Sequence, residues 1–242
     1  MCIRDRPTST AAFSAPTAAS PLPDVADLDA FIFGVDLDGV CADYTLGLQG
    51  SVSAHTGRPR TDFPIERDWD FTQWGFGPGD FEYHHRRAVA TERMFRTLEV
   101  IPGAAEALWS LSDAGVWIRV ITHRLYVNWG HQAAVADTVA WLDDARIPYR
   151  DLCFLGAKPQ VEADLYIDDS PGNITGLRKA GNDVIVFDQP YNRDMAGPRA
   201  GNWSEVEEIV MERYTAWSGV HGVQPVLPGV TNGDRLHGQR PT

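Results

Sequence analysis

Two carboxylates stand directly after an apolar run in the N-terminal part of the chain. Asp36 and Asp38 follow the segment FIFGV, and Gly39 comes next. Burying a bare carboxylate is costly unless it is paired or binds a metal. An apolar strand that ends on two carboxylates therefore indicates a site, although a D-x-D pair by itself also occurs in turns and in calcium loops.

Polar residues end or follow three later apolar runs as well. In chain order they are Thr122, His123 and Arg124 at the end of WIRVIT, Lys158 after DLCFLG, and Asp168 with Asp169 at the end of ADLYIDD. Lysine occurs only at positions 158 and 179, which makes Lys158 conspicuous. Taken singly, these residues would be ordinary strand ends or solvated surface charges, so their significance depends on whether they meet.

The order of the elements predicts that they do meet. Apolar runs at 30–37, 117–122, 151–156, 163–169 and 183–188 alternate with helical segments at 103–115, 129–145 and 173–181. This alternation predicts an α/β fold in which a doubly wound parallel sheet is covered on both faces. The carboxyl ends of the strands then share one edge of the sheet, where ligands bind.

Convergence on that edge predicts a site for a metal and a phosphate. Carboxylates gathered this closely repel one another unless a cation lies among them, and hard oxygen ligands with room for water suit Mg²⁺. The Thr122 hydroxyl, the Lys158 ammonium and exposed backbone N–H groups, including that of His123, would then hold phosphate oxygens. Gly39 would let the backbone turn tightly beside the phosphate.

The segment 45–98 interrupts the alternation. It is rich in aromatic residues and leaves just after the first strand, so we expect a small helical cap inserted over the strand ends. Most of its aromatic side chains should form the cap's own core, while one or two should line the cleft. The candidates for substrate contact are Trp69, Phe71, Trp74 and, outside the cap, Arg124. Because adjacent residues on a helix cannot face one site, His84 and His85 are expected on the cap surface.

Composition predicts where the folded core begins and ends. Both ends are rich in Pro, Gly, Ala, Ser or Thr, which predicts a disordered head over 1–28 and a flexible tail over 216–242. The α/β core would then comprise 29–44 and 99–215. The loop FDQPYNR at 187–193, with Gln189 and Asn192, is expected to pack beside the site rather than to act in it.

Charge and cysteine usage exclude several classes of protein. The formal net charge of −12 argues against binding a nucleic acid polymer but leaves room for a small phosphorylated substrate. No run of some twenty apolar residues is present, so we expect no membrane span. The three cysteines form no disulfide framework, which favours a reducing, cytoplasmic setting. A homodimer is compatible with the sequence.

These residues carry a family resemblance. DLDGV, followed by VIT, an isolated Lys and IDD, resembles the four ordered motifs of the haloacid dehalogenase (HAD) superfamily of phosphotransferases, over residues 30–190. DLDGVCADY, LEVIPGAAEAL, LYIDDSPGNI and VIVFDQPYN are similar to the 5′(3′)-deoxyribonucleotidase, or cytosolic type C 5′-nucleotidase, family. THR at 122–124 departs from the T-S-P run associated with that family, which bears on substrate choice more than on chemistry.

The resemblance implies roles for the residues. Asp36 would be the nucleophile that forms an aspartyl-phosphate, and Asp38 would act first as general acid and then as general base. Mg²⁺ would be held by Asp36, the backbone carbonyl of Asp38 and a carboxylate of the Asp168–Asp169 pair. Lys158 and Thr122 would stabilise charge on the transferring phosphoryl group.

Alternatives remain at this point. Asp169 could pair with Lys158 instead of binding the metal, and Arg124 could pair with a surface acid or contact phosphate or base. The expected activity is Mg²⁺-dependent hydrolysis of a nucleoside monophosphate. A phosphatase of sugar phosphates shares all of this chemistry, and a non-catalytic nucleotide-binding protein could use the same fold.

Overall fold

The computed structural model describes residues 30–125 and 130–222. Its centre is a six-stranded parallel sheet in the order β3-β2-β1-β4-β5-β6. The strands are β1 (Ile32–Val35), β2 (Trp117–Thr122), β3 (Asp151–Phe154), β4 (Leu165–Asp168), β5 (Val184–Phe187) and β6 (Arg199–Ala200). The predicted α/β fold with a parallel sheet is confirmed.

Six helices are found among the described residues. They are α1 (Tyr44–Thr56), α2 (Asp80–Ala90), α3 (Ala104–Ala114), α4 (His131–Asp144), α5 (Pro171–Lys179) and α6 (Trp203–His221). The helices α3 and α6 pack against each other. None of the described helices combines the length and the apolar character that a membrane crossing requires.

Alternate side chains along the strands supply the two faces of the sheet. Phe33 and Val35 of β1 belong to the larger apolar cluster, which also includes residues of α3, α4 and α6. Ile121 of β2 belongs to a smaller cluster, which includes residues of α5. Gly34, which lies between Phe33 and Val35 in the chain, faces the smaller cluster. A Cβ at Gly34 would lie 2.9 Å from Ile121 Cδ1. The period-two pattern of a strand buried on both faces thus fixes which side chains enter which layer.

The C-terminal part differs from the expectation. The strand β6 and the helix α6 were not among the predicted elements, and α6 continues to His221. The expected flexible tail therefore starts too early, because residues 216–221 are helical. Trp203, at the start of α6, is buried and donates from Nε1 to the Val40 carbonyl at 2.9 Å, so α6 supports the loop after β1. The predicted head and the residues after 222 lie outside the described part of the chain.

The inserted segment is helical at both of its ends and packs as one body with the sheet. It contains most of α1, all of α2 and several short 3₁₀ turns. Its apolar residues Phe63, Trp74 and Phe95 belong to the same cluster as Leu108 of α3. This shared packing holds the insertion against the edge of the sheet where β1, β2 and β4 end.

Candidate active site

The loop after β1 is folded tightly over the end of the sheet. Asp36 N donates to the Ile167 carbonyl of β4 at 3.2 Å, while Cys41 N and Ala42 N both donate to the Leu37 carbonyl at 2.8 Å. Gly39 has φ +81°, in the left-handed region that other residues avoid. This turn directs the side chains of Asp36 and Asp38 to one cavity.

Three buried carboxylates meet beside this loop. One oxygen from each of Asp36, Asp168 and Asp169 lies within 4.8 Å of the others. Lys158, also buried, places Nζ 2.7 Å from Asp36 Oδ1 and 2.6 Å from Asp168 Oδ2. Asp168 also accepts from Ser170 N at 2.9 Å and from Asn173 Nδ2 at 3.2 Å. Lys158 thus pairs with Asp168 rather than with Asp169, which accepts instead from the Tyr191 hydroxyl.

The pKa values of this cluster show how costly the surplus negative charge is. Burial is the main cause that raises the pKa of Asp36 to about 7, opposed by Lys158 and reinforced by Asp168. Burial, followed by the charges of Asp36 and Asp168, raises the pKa of Asp169 well above its ordinary value. Burial alone would lower the pKa of Lys158, but Asp168 and Asp36 raise it, so Lys158 remains an ammonium. One ammonium against three carboxylates leaves a buried deficit of positive charge, and this set of hard oxygen donors fits a divalent cation.

Asp38 is not one of the three clustered carboxylates and is held by Arg124. Its two carboxylate oxygens accept from Arg124 Nε at 3.1 and 3.2 Å, and Oδ1 also accepts from Nη2 at 2.7 Å. Of the two alternatives for Arg124, pairing with a surface acid is wrong, because its partner Asp38 lines the cavity. Arg124 lines the cavity as well, so its contact with a substrate stays a prediction.

Thr122 and His123 stand at the end of β2, directly before Arg124. Thr122 is buried at the end of β2, and its hydroxyl accepts from Arg124 N at 3.3 Å. His123 lines the cavity, and its buried Nε2 has no hydrogen-bond partner among the described residues. Burial, followed by the charge of Lys158, lowers the pKa of His123, so its ring is neutral at neutral pH. A neutral imidazole leaves the positive charge beside the cavity to Lys158, Arg124 and Arg67.

The cavity above these residues has a volume of about 590 Å³. Phe71 lines it, and Trp69, 49% exposed, stands at its rim with its ring 5.4 Å from that of Tyr191. Trp74 does not line it: the ring is packed against Phe63 and Phe71, and Nε1 donates to the Pro64 carbonyl. The expectation for Trp74 as a substrate contact is therefore corrected to a core role within the cap.

The cap also contributes a residue that was expected on its surface. His85 is only 8% exposed, lines the cavity and lies 2.7 Å through Nδ1 from the hydroxyl of Tyr44, another lining residue. Its ring stacks on Phe81, with ring centroids 5.5 Å apart. The expectation holds better for His84, which is half-buried. The spacing of four between Phe81 and His85, on one face of α2, is the signal that could have found His85.

A second contact joins the cap to the acidic cluster. The guanidinium of Arg67 lies between two rings, 3.7 Å from the centroid of Phe71 and 4.3 Å from that of Tyr191. Tyr191 in turn donates to Asp169. The loop that carries Tyr191 is packed as expected, with Gln189 Nε2 on the Gly39 carbonyl at 2.7 Å and Asn192 Nδ2 on the Asp169 carbonyl at 2.8 Å.

Gly39 offers a sharp test of how tightly this edge is packed. A Cβ at Gly39 would collide with the Asp169 carboxylate, approaching Cγ to 2.7 Å, and would lie 2.9 Å from the Tyr191 hydroxyl. To avoid the added Cβ, the loop or the Asp169 carboxylate must move. Because that movement misplaces the reacting groups, we expect Gly39→Ala to lower kcat/KM by roughly 10²-fold. Gly57 is the matched control, with φ +71° and nothing within 4 Å of a Cβ. Gly57→Ala should cost about 1–2 kcal/mol of stability and leave the rate intact; equal losses of activity would contradict the packing argument.

With the geometry established, comparison with known proteins decides the family. Residues 30–215 match the family model described as 5′ nucleotidase, deoxy (Pyrimidine), cytosolic type C protein, NT5C. The chain belongs to the NT5C family. Membership of NT5C identifies it as a phosphoric monoester hydrolase, and the fold is that of the HAD superfamily.

Individual relatives agree with the NT5C assignment. The chain is 43% identical over 183 residues to a putative 5′(3′)-deoxyribonucleotidase of Chlorobaculum tepidum, covering 75% of this chain and 91% of the relative. It is 34% identical over 116 residues to a putative 5′(3′)-deoxyribonucleotidase of Bordetella pertussis, covering 46% and 60%. A haloacid dehalogenase-like hydrolase of Streptococcus pneumoniae superposes with a TM-score of 0.51 at 13% identity, covering 75% of this chain and 99% of that chain. This last likeness concerns the fold alone.

Proposed function

We propose that the protein hydrolyses nucleoside monophosphates to nucleoside and phosphate, with Mg²⁺ and through an aspartyl-phosphate on Asp36. The observation that carries the proposal is the position of Asp36. Its carboxylate lines an aromatic cavity, lies 2.7 Å from Lys158 and belongs to a cluster of three carboxylates that fits a divalent cation. A nucleophile, a fixed positive charge and a metal site would thus share one point.

Asp36 would supply the nucleophilic oxygen. The bond from Asp36 to phosphorus forms while the ester bond to the leaving oxygen breaks, which leaves phosphate covalently attached to the enzyme. Mg²⁺, held by Asp36, the Asp38 backbone carbonyl and a carboxylate from Asp168 or Asp169, would offset the repulsion between the carboxylate and the phosphate dianion. Lys158 and Thr122 would hold the transferring oxygens as charge builds up on them.

Asp38 would donate a proton in the first step and accept one in the second. In the first step its proton passes to the leaving alkoxide, and in the second it takes a proton from the water that attacks phosphorus and frees Asp36. One group serves as acid and then as base, so the cycle returns Asp38 to its starting form. The side chain is suited to this because it lines the cavity and lies outside the acidic cluster.

The cavity walls support a nucleotide as substrate. Its aromatic lining, which includes Tyr44, Phe71 and Phe81, offers flat apolar surfaces on which a base could stack. The names of the NT5C relatives point the same way. A reducing, cytoplasmic site of action fits the free thiols of Cys41 and Cys153.

Phosphate release from a panel of substrates, with and without Mg²⁺, tests the proposal. We expect nucleoside monophosphates to be hydrolysed with kcat/KM at least about tenfold above those for sugar phosphates. We also expect EDTA to abolish turnover and Mg²⁺ to restore it. If only sugar phosphates are hydrolysed, the proposed substrate class is wrong and the proposed chemistry stands. If a nucleotide binds but no substrate is hydrolysed, the proposed catalytic activity is contradicted.

A further inference from the structure

We propose that Arg124 is a positioning residue for Asp38, fixing the carboxylate that carries the proton in both steps of hydrolysis. The inference rests on the proposed function, in which Asp38 is the general acid and then the general base. It assigns to THR at 122–124, where the sequence departs from T-S-P, a role in holding a reacting group rather than in binding substrate.

The first support is the geometry of the contact. Nε and Nη2 of Arg124 form a fork on the carboxylate of Asp38, with its shortest distance at 2.7 Å. A planar guanidinium on a carboxylate fixes both position and rotation, which a point charge does not. The fork therefore selects one orientation of Asp38 among those that its side chain could otherwise adopt.

The second support is the difference in burial between the partners. The side chain of Arg124 is 0% exposed, whereas that of Asp38 is 26% exposed and lines the cavity. Arg124 also lines the cavity, but its side chain has no exposed surface, so Asp38 presents the more open end of the pair. A substrate entering the cavity would meet the partly exposed carboxylate of Asp38 more readily than the buried guanidinium of Arg124.

The third support is that Arg124 is itself anchored. Its Nη1 donates to Thr138 Oγ1 at 3.3 Å, and Thr138 donates to the Ala134 carbonyl of α4 at 2.7 Å. Its guanidinium lies 4.4 Å from the ring centroid of Phe95 and 5.3 Å from that of Trp141. Two aromatic rings and a helix therefore hold the guanidinium in place, so the guanidinium can fix the position of the Asp38 carboxylate.

A role in binding substrate phosphate fits these contacts less well. Nε and Nη2 face Asp38, and Nη1 faces Thr138. Engaging a phosphate through Nε, or through the Nη2 hydrogen that Asp38 accepts, would break the fork and leave a carboxylate beside the incoming dianion. In the proposed function, the positive groups for phosphate are Lys158 and the divalent cation that the acidic cluster would hold.

A double-mutant cycle tests the proposal. Arg124→Met keeps the apolar stem and removes the fork, Asp38→Asn removes the proton carrier, and the double variant combines them. The readouts are kcat and KM for a nucleoside 5′-monophosphate and for p-nitrophenyl phosphate. We expect Arg124→Met to lower kcat for the nucleotide about 10²-fold with KM within about twofold, because the fork acts through Asp38. In the Asp38→Asn background the same change should cost less than about threefold.

The leaving group gives a second, independent readout. p-Nitrophenolate leaves with little need of a proton, so the loss caused by Arg124→Met should be at least about fivefold smaller for p-nitrophenyl phosphate than for the nucleotide. A purely structural role would lower both rates alike. Arg124→Lys keeps the charge without the fork and should recover less than about a tenth of the wild-type kcat. It also replaces Arg124→Met if the latter fails to fold.

Arg119 provides the matched control. It lies on β2, the strand that Arg124 follows, is buried and pairs with Asp151 at 2.7 Å, but it does not line the cavity. Arg119→Lys should leave kcat within about twofold. A rise in KM with unchanged kcat for Arg124→Met, or equal losses in both Asp38 backgrounds, would overturn the positioning role alone. Unchanged turnover in Asp38→Asn would instead overturn the proposed function on which it rests.

Discussion

Replacing Asp36 by Asn is expected to lower phosphate release about 10⁴-fold or more. An amide oxygen cannot attack phosphorus as a carboxylate does, and removing a nucleophile costs more than removing a residue that assists it. The change also removes the ion pair of Asp36 with Lys158, which spans 2.7 Å. The measurement is initial rates of phosphate release under saturating Mg²⁺ with a nucleoside monophosphate.

The Asp36→Asn protein should fold. Burial raises the pKa of Asp36 to about 7, which means that the folded protein disfavours the carboxylate in the absence of a cation. A neutral amide of the same shape avoids that cost, so thermal unfolding without divalent cations should show no loss of stability. Asp43→Asn is the matched control, since Asp43 caps α1 through Leu46 N at 2.9 Å and Asn also caps helices well. Residual activity above about a hundredth of the wild type in Asp36→Asn would show that another group attacks phosphorus.

Replacing Lys158 by Met is expected to impair both stability and rate. The ammonium contacts Asp36 and Asp168, at 2.7 and 2.6 Å, and its removal leaves buried carboxylates without a fixed counter-charge. Breaking a buried ion pair in this way costs about 3–5 kcal/mol. Loss of a positive group beside the transferring phosphoryl should lower kcat by roughly 10²- to 10³-fold.

Urea unfolding and phosphate release measure the two effects of Lys158→Met. Because only a divalent cation could then balance the cluster, Mg²⁺ should raise the unfolding midpoint more in the variant than in the wild type. The chain offers an unusually direct control, since its other lysine, Lys179, is exposed at the end of α5. Lys179→Met should change neither quantity. If Lys158→Met kept its full rate, charge stabilisation at this edge would have to come from elsewhere.

The convergence of the strand ends was predictable because parallel sheets impose it. Once the apolar runs were assigned as strands, Asp36, Lys158 and Asp168 had to lie at one edge, whatever the loops between them did. The same reasoning could not choose between Asp168 and Asp169 as the partner of Lys158. That choice depends on the turn into α5, where Ser170 N and Asn173 also engage Asp168.

The cap and the C-terminal region were less predictable for physical reasons. The burial of His85 depends on how α2 sits over the cavity, and neighbouring His84 gave no clue to the orientation of the helix. Arg124 stands out in the sequence as part of the departure from T-S-P. Its partner, Asp38, lies 86 positions earlier, and the fold of the sheet brings the two together. The strand β6 spans two residues, too few for any period to be visible.

The support of the loop after β1 has a consequence for how the protein matures. Gln189 holds the Gly39 carbonyl from 150 positions away, and Trp203 holds the Val40 carbonyl from 163 positions away. During synthesis, Asp36 leaves the ribosome long before Gln189 and Trp203 have been made. The loop that carries Asp36 can therefore reach its complete set of supports only after α6 has been synthesised and has docked.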